Sequence, residues 1–218
     1  MGYQLREGLH YCRAGDRAVF LDILAGRYSG LPENLDDALQ ALEEGREPNR
    51  DALKRLSTLG ILNRVTQAAR PRPCQIDEAP RSSLLETPLP GCQAGTLLRA
   101  LFVLAATKVE VRRRPLHRTV TRIAHLKAKA PANTNPDRQA QISAAAFSRL
   151  GRWVSDRDQC LPRSIAMATM LGKAGVRFDF VFGVAARPFR AHCWIQRGDA
   201  VLNDRLENVQ QYTPILII

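Results

Sequence analysis

Among the five cysteines and four histidines of the 218-residue chain, one of each is placed for nucleophilic chemistry. Cys160 opens the run CLPRSIAMATMLGKAG, which reads as an apolar helix with Pro162 in its first turn and Gly175 as its stop. A helix N-terminus favours an anion, because its first N–H groups lack carbonyl partners and the dipole is positive there. A cysteine at that end is therefore held toward the thiolate, the form that attacks a carbonyl. Such a nucleophile needs a base within hydrogen-bond reach, and the base needs an orienting group. His192 lies in Ala191-His192-Cys193-Trp194-Ile195, which reads as a strand, and Asp204 follows on the next strand expected, beyond the turn Arg197-Gly198-Asp199. Side chains on neighbouring antiparallel strands can face each other, so Cys160, His192 and Asp204 form a candidate nucleophile, base and orienting acid.

Taken alone, this order of residue types leaves other readings open. A cysteine on an apolar helix also serves as a small buried hydrophobe, His192 as a hydrogen-bonded strand residue, and Asp204 as part of an Asn203-Asp204 turn. Asp199 is a rival acid, but it sits at the tip of the hairpin, too near the loop to pair with His192. Cys193 follows His192 on the strand, so it is expected on the opposite face and in the core. That placement also weighs against a zinc site of Cys160, His192 and Cys193.

The elements that must position these residues lie on both sides of Cys160. A helix from about residue 139 to 154 carries Ile142, Ala146, Phe147, Leu150 and Trp153 on one face. Beyond Gly175 the period changes to two over 176–184, 191–195 and 200–202, which predicts three strands. Upstream, Leu97 to Val111 reads as a strongly apolar helix. Leu116, Val120, Ile123 and Leu126 space a basic one, broken over 130–136. Residues 67–96, rich in Pro, Ser and Gly, read as a linker. Residues 1–66 read as a separate unit. Turns at Ala14-Gly15-Asp16 and Ala25-Gly26-Arg27 divide a three-stranded meander. Two helices follow, spaced by Leu35, Leu39 and Leu42 and by Leu53, Leu56 and Leu59. The expected fold class is α+β: a winged-helix-like domain over 1–66, a linker over 67–96, and a papain/transglutaminase-like domain over 97–218.

A more specific pattern lies between Cys160 and Asp204. C-L-x-R-S, a small-residue helix ending in Gly, F-V-x-G-V, P-F-x-A-H-x-W and a closing N-D occur in that order. Together they resemble the B-protein family of lasso-peptide biosynthesis, which are transglutaminase-like leader peptidases. The first 66 residues resemble the recognition element that fused members of the family carry for ribosomally made, post-translationally modified peptides. The resemblance implies that Cys160 is the nucleophile, His192 the base and Asp204 the orienting acid of a cysteine peptidase. It also implies that the chain binds the leader of a precursor peptide, cuts leader from core, and hands the core to an asparagine-synthetase-like, ATP-dependent macrolactam cyclase.

The leader is then expected to add as a strand near residues 20–31. Phe20, Leu31, Leu53 and Leu56 would be its contacts, although the same leucines also suit a core. The oxyanion would meet the Cys160 N–H, with Gln159 a second donor by adjacency alone. Cys193 departs from the small Ala or Ser expected between the histidine and the tryptophan. The resemblance implies a dependence on ATP, but no GxxxxGK[ST] loop is present and no directly bound cofactor or metal is expected. Acyl transfer to an amine, as in a transglutaminase, and a non-catalytic peptide-binding scaffold remain alternatives.

Composition and charge narrow the setting. With 45% hydrophobic and 24% charged residues the chain can bury a core. No apolar run approaches the roughly 20 residues of a membrane span, and the N-terminus lacks the apolar segment of a signal peptide. A cytoplasmic protein with reduced thiols is expected. The net charge is +11, and it is uneven: residues 1–80 hold 11 Lys+Arg and 12 Asp+Glu, whereas 81–218 hold 21 and 9. The excess is densest from Arg99 to Lys129. Such a stripe suits a polyanion or an acidic partner, or is simply a solvated helix face. Nucleic acid is not expected, because the winged-helix-like unit is nearly neutral.

Overall fold

The computed structural model describes residues 2–130, 133–151 and 159–218. Near the N-terminus the chain reverses at Gly15 and Gly26, whose φ values of 65° and 64° lie in the region that glycine tolerates best. After β1 (Gly2–Leu5), these turns divide β2 (Leu9–Ala14), β3 (Arg17–Asp22) and β4 (Arg27–Gly30), an antiparallel meander with β3 in the middle. Asp22 secures the second turn by accepting the N–H groups of Leu24 and Ala25 at 3.0 and 2.9 Å. α1 (Glu33–Glu44) ends on Gly45 in a left-handed cap, and α2 (Arg50–Thr58) begins at Asn49, whose side chain accepts the N–H groups of Asp51 and Ala52. β5 (Leu62–Val65) then pairs antiparallel with β1, a ribbon absent from the sequence expectation.

The meander is buried on both faces. Leu9, Tyr11, Ala18 and Phe20 pack with Leu35, Leu39 and Leu56 of the two helices. From the other face Cys12, Ala14, Val19 and Leu21 join the main core, with Phe147, Ile165, Phe180 and Leu216 among its members. This corrects part of the expected leader groove. Phe20 is buried and stacks on Tyr11 at 5.4 Å between ring centroids, and Leu56 is fully buried. Leu31 and Leu53 lie half-buried against the same cluster.

Residues 67–96, expected as a linker, carry β6 (Ser82–Ser83) and a 3-10 turn at Leu84–Glu86. They are tied down by bonds from the Cys74 N–H to the Tyr11 carbonyl (2.7 Å) and from Gln196 Nε2 to the Glu78 carbonyl (2.8 Å). α3 (Ala94–Arg113), α4 (Leu116–Ala128) and α5 (Pro136–Gly151) pack around α6 (Cys160–Lys173), which is buried from Ser164 to Gly172. Residues 152–158, which include Trp153 and the end of the helix expected over 139–154, fall outside the described residues, as do 131 and 132.

β7 (Asp179–Ala186), β8 (Phe189–Arg197), β9 (Ala200–Val201), α7 (Leu206–Val209) and β10 (Thr213–Ile217) complete the chain. The resulting sheet has the order β10-β7-β8-β9-β6, antiparallel except for the parallel pair β6 and β9. The basic stripe is divided by use. Arg122 pairs with Glu110 and Lys127 with Asp179, whereas Arg112, Arg113, Arg114 and Arg118 are exposed. Among the described residues no helix is long and apolar enough to cross a membrane.

Candidate active site

Cys160 is the first residue of α6, where the helix presents N–H groups without intrahelical partners. α6 lies against β8, and Ser164 Oγ donates to the Cys193 carbonyl at 3.0 Å, which fixes the helix start beside that strand. β9 covers only the end of β8, pairing with Gln196 and Arg197, so the strand edge at His192 and Cys193 is left open to the thiol. The Cys193 N–H donates to the Cys160 sulfur there. Strand alternation sends His192 and Cys193 to opposite faces, and a sulfur at the edge reaches both. Cys193 is buried in the core as expected, yet its thiol hydrogen-bonds that of Cys160. The departure at Cys193 therefore touches the nucleophile itself.

His192 Nε2 lies 2.5 Å from Asp204 Oδ2, which leaves Nδ1 for the hydrogen bond with Cys160. The ring lies against Tyr212 (centroids 5.0 Å apart) and near Trp194 (6.3 Å). Asp204 is not on a strand as expected. β9 is only two residues long, and Asp204 lies in the turn that leads into α7. That turn is nonetheless tightly held. Asp204 accepts the Arg205 N–H at 2.7 Å and Asn208 Nδ2 at 2.9 Å, and its carbonyl accepts Ser83 Oγ at 2.5 Å. Asn203 locks the same turn to β8 and α6, accepting the Ile195 N–H at 2.8 Å and donating to Ser164 Oγ at 2.8 Å. The rival Asp199 offers its carbonyl to the N–H groups of Arg81 and Ser82 at the hairpin tip.

The charges of the three groups follow from this packing. The Cys193 thiol lowers the Cys160 pKa most; burial opposes it, and His192 adds to it, with the net value pulled down to about 4. Burial pulls His192 down, but its hydrogen bonds to Asp204 and Cys160 outweigh that and raise it to about 9. Burial would raise Asp204, yet the bond from His192 leaves it below the usual carboxylate range. Burial pushes the Cys193 thiol well up, so Cys193 stays protonated beside the Cys160 thiolate. At neutral pH the arrangement is a thiolate–imidazolium pair oriented by a carboxylate.

A family model described as the transglutaminase-like superfamily matches residues 103–217, which contain every part of this arrangement except Ser83. The chain belongs to the transglutaminase-like superfamily. No curated protein and no solved structure matches it.

Two openings reach the thiol of this transglutaminase-like domain. A cleft of about 970 Å³ is lined by polar side chains that include Arg163, Arg190, Asn208 and Gln211. A cavity of about 290 Å³ is walled by Tyr28, Val111, Leu116, Leu161, Ile165 and Phe182. Tyr28 belongs to β4, so residues 1–66 contribute a wall to the space beside Cys160. Gln159 Oε1 is buried without a hydrogen-bond partner among the described residues, and Gln159 makes no side-chain cap on α6. Ser164 and Asn203 stood in the quoted motifs, as the S of C-L-x-R-S and the N of the closing N-D, but were given no role in the site. Ser83, Asn208 and Tyr212 carried no local signal and were missed. Among the described residues no group of three or more His, Cys, Asp or Glu is arranged to hold a metal ion.

Proposed function

We propose that the protein is a cysteine leader peptidase of lasso-peptide biosynthesis, with Cys160 as nucleophile, His192 as acid and base, and Asp204 as the orienting acid. The observation that carries the chemistry is the Cys160 thiol in hydrogen-bond reach of His192, whose Nε2 is 2.5 Å from Asp204. The choice of substrate rests on the motif series from C-L-x-R-S to the closing N-D.

In this reading the Cys160 thiolate attacks the carbonyl carbon at the end of the leader, and the oxyanion faces the first N–H groups of α6. The His192 imidazolium gives its Nδ1 proton to the amine nitrogen of the core as the C–N bond breaks. Water then attacks the thioester, His192 takes its proton, and the C–S bond breaks to regenerate the thiolate and release the leader acid. Residues 1–66 act as a winged-helix-like recognition element. β4 pairs only with β3 among the described residues, so the strand Arg27–Gly30 offers an edge to which a leader can add. A leader on that edge passes Tyr28 on its way to Cys160, which suits the apolar cavity to a leader side chain and the polar cleft to the core. The freed core goes to the ATP-dependent cyclase, whose ATP accounts for the dependence that the resemblance implies.

The test is mass spectrometry of the cognate precursor incubated with the protein, the cyclase and ATP, with Cys160→Ala as comparison. Release of leader by the wild type alone is the expected result. Equal release by both proteins, or binding without cleavage by either, favours a peptide-binding scaffold instead.

A further inference from the structure

We propose that Cys160 and Cys193 form a reversible intramolecular disulfide, so that the nucleophile carries its own resolving cysteine and survives exposure to hydroperoxides. The two thiols hydrogen-bond each other, and the Cys193 N–H also donates to the Cys160 sulfur. Both residues line the polar cleft and the apolar cavity, so an oxidant that enters either one meets Cys160 first and Cys193 directly behind it. Ser164, bonded to the Cys193 carbonyl and to Asn203, keeps α6 against β8 and the sulfurs in register.

A thiolate that a small oxidant can reach is the first step of the cysteine oxidation ladder, and an adjacent thiol is what stops the ladder at its reversible rung. The Cys160 thiolate attacks one oxygen of a hydroperoxide, breaking the O–O bond. Cys160 becomes a sulfenic acid, and the other oxygen leaves as hydroxide or alkoxide. The Cys193 sulfur then attacks the sulfenic sulfur. The Cys193 proton leaves with the sulfenic hydroxyl as water, and the S–S bond forms. A dithiol reverses the modification by exchange, taking up the oxidation as its own disulfide. While the bond persists the enzyme has no nucleophile, and the sulfinic acid, which is not recovered by thiols, does not form.

Cys12 and Cys74 provide an internal contrast. The Cys12 thiol feels the charge of Cys74, but burial pushes both pKa values up, so that pair has no thiolate with which to begin. The inference rests on the contact of the two thiols and holds whatever peptide the enzyme cuts.

The full-length protein is treated with hydrogen peroxide at neutral pH, quenched with N-ethylmaleimide and mapped by peptide mass spectrometry with and without dithiothreitol. The expected product is a peptide pair joining Cys160 to Cys193, lighter by two hydrogens, with both thiols restored by dithiothreitol. Cys193→Ser is expected to give roughly tenfold more irreversibly oxidised Cys160 at the same dose. Alkylation of Cys160 at neutral pH checks that this variant keeps its site. If it does not fold, the wild-type map decides alone. Sulfinic Cys160 in the wild type without the joined pair overturns the proposal, as does a disulfide that maps to Cys12 and Cys74 or between molecules.

Discussion

At the scale of single residues the site depends on two opposed charges whose limits define a pH window. Cys160 is a thiolate above about 4 and His192 an imidazolium below about 9. For the proposed peptidase the rate should therefore rise as pH passes upward through the lower value. It should fall through the upper one, where His192 loses the proton that the leaving amine requires. A bell-shaped profile of kcat/KM with limbs near these values is expected. Asp204→Asn removes the hydrogen-bonded carboxylate that raises His192 against its burial, so the upper limb should move to lower pH. A fall in kcat of about 10²–10⁴-fold should accompany it, because the ring loses its orientation as well. An upper limb that stays in place would sink the assignment of Asp204 as the group that sets the charge of His192.

At the scale of elements, the proposed catalysis depends on how β7, β8 and the turn after β9 pack around His192. Gly183 on β7 lies opposite His192. A methyl group there would meet Trp194 ring carbons at 2.7 and 2.9 Å and Tyr212 Cβ at 2.9 Å. Both rings neighbour the imidazole, so Gly183→Ala is expected to cost about 1–3 kcal/mol of stability and to lower kcat more than it raises KM. Thermal unfolding together with steady-state kinetics reads both effects, and a loss of stability with unchanged kcat would show that the rings do not position His192. The same elements show what the sequence could convey. Local signals were enough for the meander, because Gly15 and Gly26 mark its turns, and for the start of α6 at Cys160, because Pro162 suits a first turn. The motif order also brought Cys160, His192 and Asp204 together. The short β9 was not legible, since nothing in Ala200-Val201-Leu202 says that pairing ends after two residues. For the same reason Asp204 was expected on a strand, and the open edge that lets Cys160 touch Cys193 was invisible. Ser83 comes from 121 positions before Asp204, a separation at which no periodicity can signal a contact.

At the scale of the whole molecule, the meander is a layer shared by two halves of the chain. Its inner face supplies Cys12, Ala14, Val19 and Leu21 to a core that also holds Phe147, Ile165 and Phe180, while Tyr28 reaches the space beside Cys160. A recognition unit joined only through a flexible segment would leave no such surface behind when removed. Here removal exposes the apolar atoms that the meander covers, and burying a side chain of the size of Val or Leu is worth roughly 1.5–3 kcal/mol. A chain beginning at residue 67 is therefore expected to melt about 10 °C or more below the intact protein, or to precipitate. Co-expression with residues 1–66 as a separate polypeptide should restore a soluble complex, because the lost contacts are packing contacts that need no covalent link. Differential scanning calorimetry of the intact chain, the truncated chain and the co-expressed pair measures this directly. Equal melting of the intact and truncated chains would mean that the shared core contributes little. The proposed recognition and cleavage would then be coupled only by tethering, and Tyr28 would hold its place beside Cys160 only when a leader brings it there.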